Sequence, residues 1–103
     1  MLTVDQKDNN TQVVLIIGQE LQILLPENPT TGFRWQMSPA GEPVLELLDD
    51  KFDSPASGVG TGGIRHWRFK ATVKGSADIE MVYRRVWEQD QSQTFRLAVR
   101  VEP

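Results

Sequence analysis

The residues best suited to binding or chemistry lie in three short segments, of which two are rich in Gly and Thr and the third contains Arg and Trp. Loop 1, residues 28–33, has the sequence NPTTGF. Its proline fixes φ, its two threonines are stiff at χ1, and its glycine permits a positive φ where the chain turns back. A stiff, uncharged loop suits protein binding, because its ordering entropy is lost at folding and not at association. The same composition is also typical of an ordinary connection between strands.

Loop 2, residues 60–63, has the sequence GTGG and precedes the segment IRHWRF. A glycine-rich loop that cradles phosphate needs a helix behind it and often a following Lys, and here a strand-like segment follows. Glycines also let a backbone lie flat against another protein. Loop 2 is therefore either a contact loop or a flexible connection between strands.

Loop 3, residues 85–87, has the sequence RVW and runs into the polar turn EQDQS. A tryptophan exposed at a loop tip is a natural interface anchor. Strand parity extended from Met81 and Tyr83 instead points Trp87 inward, where it would cap the core. The residues alone favour neither interpretation.

Enzymatic chemistry finds little support in the residue inventory. His66 is the single histidine, cysteine is absent, and no nucleophile-elbow motif occurs. Asp49, Asp50 and Asp53 lack the Gly and Glu of a calcium loop, and one histidine with scattered carboxylates gives no zinc spacing. We therefore expect no enzyme activity, no metal and no cofactor.

Charge and hydropathy narrow the range of partners further. The net charge is −3 and the basic residues are dispersed, which argues against nucleic acid binding. The longest apolar run, residues 13–17, stops at Gly18 and is too short to span a membrane. The first residues do not resemble a signal peptide. The sequence therefore leaves the location open: periplasmic or secreted if a leader has been removed, and otherwise cytoplasmic.

Period-two alternation is the strongest structural signal in the chain. Five segments alternate in this way, and each has one apolar face and one mostly polar face, as in half-buried strands. Their apolar members are Leu21, Ile23 and Leu25; Phe33, Trp35 and Met37; Trp67, Phe69, Ala71 and Val73; Ala77, Ile79, Met81 and Tyr83; and Phe95, Leu97, Val99 and Val101. Residues 13–17 indicate a strand covered on both sides or one of unclear register, and residues 42–50 favour a strand over a short helix. Short alternating strands with frequent turns predict an antiparallel sandwich or barrel in one domain, residues 1–103, with residues 1–10 less ordered.

The three loops in this order resemble the chagasin family of cysteine protease inhibitors. The family pattern is an N-P-T-T-G-[YF] loop, a G-x-G-G loop before an aromatic-rich strand, and an R-P-W loop. Loop 1 matches at every position, loop 2 matches in full, and loop 3 has Val86 in place of the proline. The resemblance runs from about Gly18 to the end of the chain.

The resemblance implies an all-β, immunoglobulin-like antiparallel β-sandwich of about eight strands, with the three inhibitory loops at one end. It implies a monomeric, reversible, non-covalent inhibitor that blocks the active-site cleft of papain-like (cathepsin-like) cysteine proteases. The implied protease-binding residues are Asn28, Pro29, Thr30, Thr31, Gly32, Phe33, Gly60, Thr61, Gly62, Gly63, Arg85, Val86 and Trp87. The alternative is a carbohydrate- or ligand-binding β-sandwich that uses Trp35, Trp67 and Trp87 as stacking platforms.

Overall fold

The computed structural model describes residues 1–28, 32–37, 44–53, 62–85 and 93–103. These residues form eight strands in two four-stranded sheets. The strands are β1 (Leu2–Val4), β2 (Thr11–Ile16), β3 (Glu20–Glu27), β4 (Phe33–Met37), β5 (Leu45–Asp53), β6 (Gly63–Ala71), β7 (Gly75–Arg85) and β8 (Gln93–Glu102). The predicted all-β sandwich of about eight strands is confirmed.

The two sheets have the strand orders β1-β3-β6-β5 and β2-β8-β7-β4. Four of the six strand pairs are antiparallel, but β1 pairs with β3 in parallel and β2 pairs with β8 in parallel. The expectation of a purely antiparallel sandwich is therefore wrong at these two pairs. Parallel partners need long connections between them, and no local turn signal reveals such a pairing.

The core lies between the two sheets and is formed by the alternating side chains that the sequence indicated. Trp67 is 1% exposed, Trp35 is 5% exposed, and Leu21, Ile23 and Leu25 of β3 are fully buried. The other members are Val4, Leu15, Val44, Leu45, Phe69, Ala71, Ile79, Met81, Phe95, Leu97, Val99 and Val101. Burying such side chains contributes about 1.5–3 kcal/mol each for Val, Leu, Ile, Phe or Met.

Two details of the predicted apolar pattern are wrong. Val73 was placed on a buried face, but β6 ends at Ala71 and Val73 is 43% exposed. Coverage of residues 13–17 on both sides, one of the two alternatives, is wrong, because the two sheets of the described residues cover only one face of β2 and leave Val14 55% and Ile16 60% exposed on the other. Only Leu15 of this run is fully buried.

The segment 42–50, for which a strand was favoured, contributes Leu45 to Asp50 to β5, so that preference is confirmed. The register of β5 against β6 shifts between Leu47 and Asp49. Such a bulge leaves an extra residue without a partner and bends the strand. Leu47 and Leu48 are accordingly exposed, although the sequence shows them as part of an apolar run.

The N-terminal segment adds a single 3₁₀ turn, Gln6–Asp8, which the sequence did not indicate. The side chain of Asp5 accepts a hydrogen bond from the amide of Lys7 at 2.9 Å, and the side chain of Asp8 accepts one from the amide of Asp5 at 3.0 Å. These reciprocal bonds are a capping box. The turn carries the chain from β1 in one sheet to β2 in the other, and lower order of residues 1–10 in solution stays a prediction.

Within the described residues, no helix has the length and apolar character needed to cross a membrane.

Candidate functional site

The described ends of all three loops meet at one end of the sandwich. Strand β3 ends at Glu27, which pairs with Gly63 at the start of β6. Strand β4 begins at Phe33, which pairs with Arg85 at the end of β7. Since the strands in each pair are antiparallel, loops 1 and 2 lie at the same end of one sheet, and loops 1 and 3 lie at the same end of the other.

Loop 1 differs from an ordinary hairpin because its two strands belong to different sheets. No ladder of backbone hydrogen bonds can therefore fix the distance between them. Two other hydrogen bonds connect its ends, and a third holds its start to β7. The Trp35 amide donates to Oε2 of Glu27 at 2.9 Å, Trp35 Nε1 donates to the carbonyl of Pro26 at 2.8 Å, and the Asn28 amide donates to the Tyr83 hydroxyl at 3.0 Å.

Glu27 is the one polar residue in the described part of the chain that is buried, with 2% of its surface exposed. Its carboxylate also accepts from Nη1 of Arg65, at 3.2 Å to Oε2 and 3.3 Å to Oε1. Arg65 in turn donates to both carboxylate oxygens of Asp50, at 2.5 and 3.0 Å. The charge cluster Glu27–Arg65–Asp50 thus lies directly below loops 1 and 2.

The pKa of Arg65 is raised above its ordinary value. The hydrogen bond that Arg65 donates to Asp50 raises the pKa of Arg65, partial burial opposes the shift, and Glu27 adds to it. A raised pKa contributes stability that is present below the ordinary value and is lost only as pH rises through the higher, folded-state value. The guanidinium therefore stays charged throughout the neutral range and remains available to Glu27.

Gly62 brings loop 2 into close contact with the beginning of loop 1. A Cβ placed on Gly62 would lie 3.0 Å from the carbonyl oxygen of Glu27 and 3.3 Å from the Cβ of Asn28. A side chain at position 62 would therefore require the backbone to move. Glycine is needed here because two loops approach each other.

Aromatic side chains connect loop 1 to the strand that leads into loop 3. The rings of Phe33 and Tyr83 stack with centroids 5.2 Å apart, and Tyr83 lies 4.8 Å from the ring of Trp35. The guanidinium carbon of Arg85 lies 4.6 Å from the centroid of Phe33, within cation–π range. Phe33 and Arg85 were both predicted site residues, and the structure places them in contact.

The structure brings together six of the predicted site residues, namely Asn28, Gly32, Phe33, Gly62, Gly63 and Arg85. The other seven lie outside the described residues: Pro29, Thr30, Thr31, Gly60, Thr61, Val86 and Trp87. In the described ranges, no group of three His, Asp or Glu side chains could hold a metal ion. His66 lies within β6, where its Nε2 is 2.9 Å from a carboxylate oxygen of Asp53.

The family model for the chagasin family peptidase inhibitor I42 matches residues 14–99. This range covers most of the chain and includes all three loops. The chain belongs to the chagasin family of peptidase inhibitors. It is accordingly an inhibitor of the chagasin type and not an enzyme.

Individual proteins of known sequence or structure agree with this assignment. The chain is 32% identical to Amoebiasin-1 of Entamoeba histolytica, over 98% of this chain and 100% of that protein. It is 26% identical to Chagasin of Trypanosoma cruzi, over 93% of this chain and 92% of that protein. The crystal structure of the cysteine protease inhibitor EhICP2 from Entamoeba histolytica superposes with a TM-score of 0.87 at 22% identity, covering 98% of this chain and 95% of that one.

Four residues at this end of the chagasin-type fold were not among the predicted site residues: Glu27, Asp50, Arg65 and Tyr83. For two of them the sequence held a usable signal. Glu27 continues the inward parity of Leu21, Ile23 and Leu25, and Tyr83 continues that of Ile79 and Met81. A carboxylate at an inward position must find a partner, because an unpaired buried charge is costly.

Proposed function

We propose that this protein is a reversible, non-covalent inhibitor of papain-like cysteine proteases that blocks the active-site cleft with its three loops. The observation that carries the proposal is the convergence of all three loop ends at one end of a chagasin-type sandwich. Loops from distant sequence positions can thereby form one binding face on a rigid scaffold.

Loop 1 is the central wedge in this proposal. Its ends are held by three hydrogen bonds to β4 and β7, so little conformational entropy remains to be lost when it enters a cleft. Attack by the catalytic thiolate needs a near-attack distance and angle to a carbonyl carbon. A stiff loop can fill the cleft around Thr30 and Thr31 without presenting a carbonyl at that angle, so it blocks the protease and is not cleaved.

Loops 2 and 3 flank the wedge on its two sides. Loop 2 lies beside loop 1 at the end of the sheet that contains β3 and β6. It would lie along the cleft and contact the protease through its backbone. Loop 3 lies beside loop 1 at the end of the sheet that contains β4 and β7. It would place Arg85 and Trp87 against the wall of the protease cleft opposite to loop 2. Three loops of this size would bury about 800 Å² on each partner, as in other protease–inhibitor complexes.

Titration of papain with this protein, followed with a fluorogenic substrate, tests the proposal. We expect stoichiometric loss of activity that is recovered on dilution. Papain whose active-site cysteine carries an S-methylthio group should still bind, because the proposed complex contains no covalent bond. Full papain activity at micromolar inhibitor would contradict the proposal, and failure of the blocked enzyme to bind would contradict its non-covalent mechanism.

The alternative function, carbohydrate binding on tryptophan platforms, loses two of its three platforms in this structure. Trp35 and Trp67 are buried in the core and cannot stack on a sugar. The described residues therefore give that function no stacking surface built from these two rings.

Replacing Trp87 by alanine tests the contribution of loop 3. If Trp87 anchors the flank of the interface, the Trp87→Ala variant should dissociate from papain about tenfold faster with a nearly unchanged association rate, because interface mutations act mainly on dissociation. Surface plasmon resonance measures both rates. Ile16→Ala is the matched control, because Ile16 is an exposed apolar side chain at the opposite end of β2 and β8. Unchanged dissociation combined with lower thermal stability would instead identify Trp87 as a core cap.

A further inference from the structure

We infer that Glu27 is a positioning residue for inhibition: its buried carboxylate sets the relative placement of loops 1 and 2 by linking Trp35 on one sheet to Arg65 on the other. This inference rests on the proposed function and extends it to a residue outside the three loop motifs. Glu27 lies at the base of the loops, so its role would be to hold the loops in position and not to contact the protease.

The need for such a residue follows from the topology. Strands β3 and β4 lie in different sheets, so the ends of loop 1 can move apart whenever the two sheets shift. Glu27 is the last residue of β3, and its Oε2 accepts the backbone amide of Trp35, the third residue of β4. This hydrogen bond crosses the gap that loop 1 must span, next to the bond from Trp35 Nε1 to the Pro26 carbonyl.

The same oxygen also accepts from Arg65, so the charge of Glu27 is used as well as its shape. Burial of a carboxylate is costly unless it is paired and hydrogen-bonded, and Glu27 has a guanidinium and a backbone amide as partners. Hydrogen bonds to a charged group are shorter and about twice as strong as neutral ones. A neutral side chain of equal size would keep the bond from Trp35 but would weaken the link to Arg65.

Arg65 extends the link to both strands that carry loop 2. Arg65 lies two residues after Gly63 on β6, and its bidentate partner Asp50 lies three residues before the end of β5. The cluster Glu27–Arg65–Asp50 therefore connects the start of loop 1 to the two strands between which loop 2 runs. Close approach of Gly62 to Glu27 and Asn28 adds a steric contact at the same place.

The Glu27→Gln variant tests the inference. Glutamine keeps the length and one carbonyl oxygen for the Trp35 amide, but removes the charge that pairs with Arg65. We expect the inhibition constant for papain to rise about tenfold, with the protein still folded. We also expect faster hydrogen exchange at the Trp35 amide, measured by NMR on the free protein, because its acceptor is less firmly held.

Two controls separate positioning from general stability. Glu20→Gln also removes a carboxylate from β3 that is paired with an arginine on β6, in this case Arg68. This pair lies towards the end of β3 and β6 that is remote from the loops. Val99→Ala removes methyl groups from the core beside Ala77 on β7, away from the loops. Both controls should inhibit within about twofold of wild type. Equal weakening by Val99→Ala at similar loss of stability would overturn the inference.

A double variant shows whether Glu27 and Arg65 act as one unit. Arg65→Gln alone should weaken inhibition at least as much as Glu27→Gln. The inhibition constant of the double variant should not exceed that of the more weakened single variant, because both changes break the same link. Additive losses, or inhibition by Glu27→Gln within twofold of wild type, would contradict the coupling. If wild-type protein fails to inhibit papain, the proposed function fails, while the exchange rate of the Trp35 amide still tests the link itself.

Discussion

The Thr31→Asp variant should lose inhibition of papain by about a hundredfold or more. Thr31 lies in the middle of loop 1, where the proposed complex places it beside the catalytic cysteine and histidine. The catalytic cysteine of papain is a thiolate whose positive partner, the histidine, is already paired with it, so a carboxylate next to it meets a like charge and finds no free cation in a site from which water is excluded. Like-charge contact across an interface costs several kcal/mol, and a hundredfold loss corresponds to about 2.7 kcal/mol.

Thr31→Asn is the matched control for charge, because asparagine has nearly the same shape as aspartate and is neutral. It should retain most of the inhibition that Thr31→Asp loses. Thr3→Asp places the same carboxylate on β1, away from the loops, and should inhibit as wild type does. If Thr31→Asp inhibits papain normally, loop 1 does not enter the cleft and the proposed mechanism is wrong.

The Gly62→Val variant should weaken inhibition by about thirtyfold while the sandwich stays folded. A Cβ at this position would lie 3.0 Å from the carbonyl oxygen of Glu27, a rigid backbone atom that cannot rotate away. The branches of valine make the overlap worse, so loop 2 must move away from loop 1. Since the two loops form one binding face, their separation should cost about as much as an interface hot spot, 2 kcal/mol or more.

Gly18→Ala distinguishes loop displacement from backbone strain. Gly18 has a φ of 93°, which alanine adopts only with strain, but no atom lies within 4 Å of its added Cβ, and it lies at the opposite end of β3. We expect Gly18→Ala to lower the midpoint of urea unfolding and to leave the inhibition constant unchanged. Gly62→Val should give the converse pattern. Equal inhibition by Gly62→Val and wild type would mean that loops 1 and 2 need not be in contact.

Alternation of apolar residues was enough to predict most strands and the inward positions of Trp35 and Trp67. These predictions succeed because the pleat places every second side chain on the same face, whatever its partner strand is. The parallel pairing of β1 with β3 and of β2 with β8 left no such trace, because register between distant segments depends on contacts across the whole fold. Val73 shows the remaining weakness of the pattern, since parity does not reveal where a strand ends.

The loop motifs predicted which segments come together, but not what holds them there. Asp50 and Arg65 look like ordinary polar strand residues in the sequence, and their pairing depends on the register of β5 against β6. Glu27 follows three inward-facing apolar residues, a parity that indicates burial, but the sequence does not reveal Arg65 and the Trp35 amide as its partners. Charged partners from three strands cannot be matched before the strands themselves have been paired.

The different anchoring of the three loops bears on how such an inhibitor could acquire new targets. Loops 2 and 3 each connect neighbouring strands of one sheet, so added residues would leave their ends fixed by the ladders, and each doubling of loop length costs only about 0.6 kcal/mol in closure entropy. Loop 1 has to bridge two sheets, and its length must match the gap between them. Insertions that diversify recognition are therefore tolerated in the flanking loops, while the wedge is confined to changes of residue type at constant length.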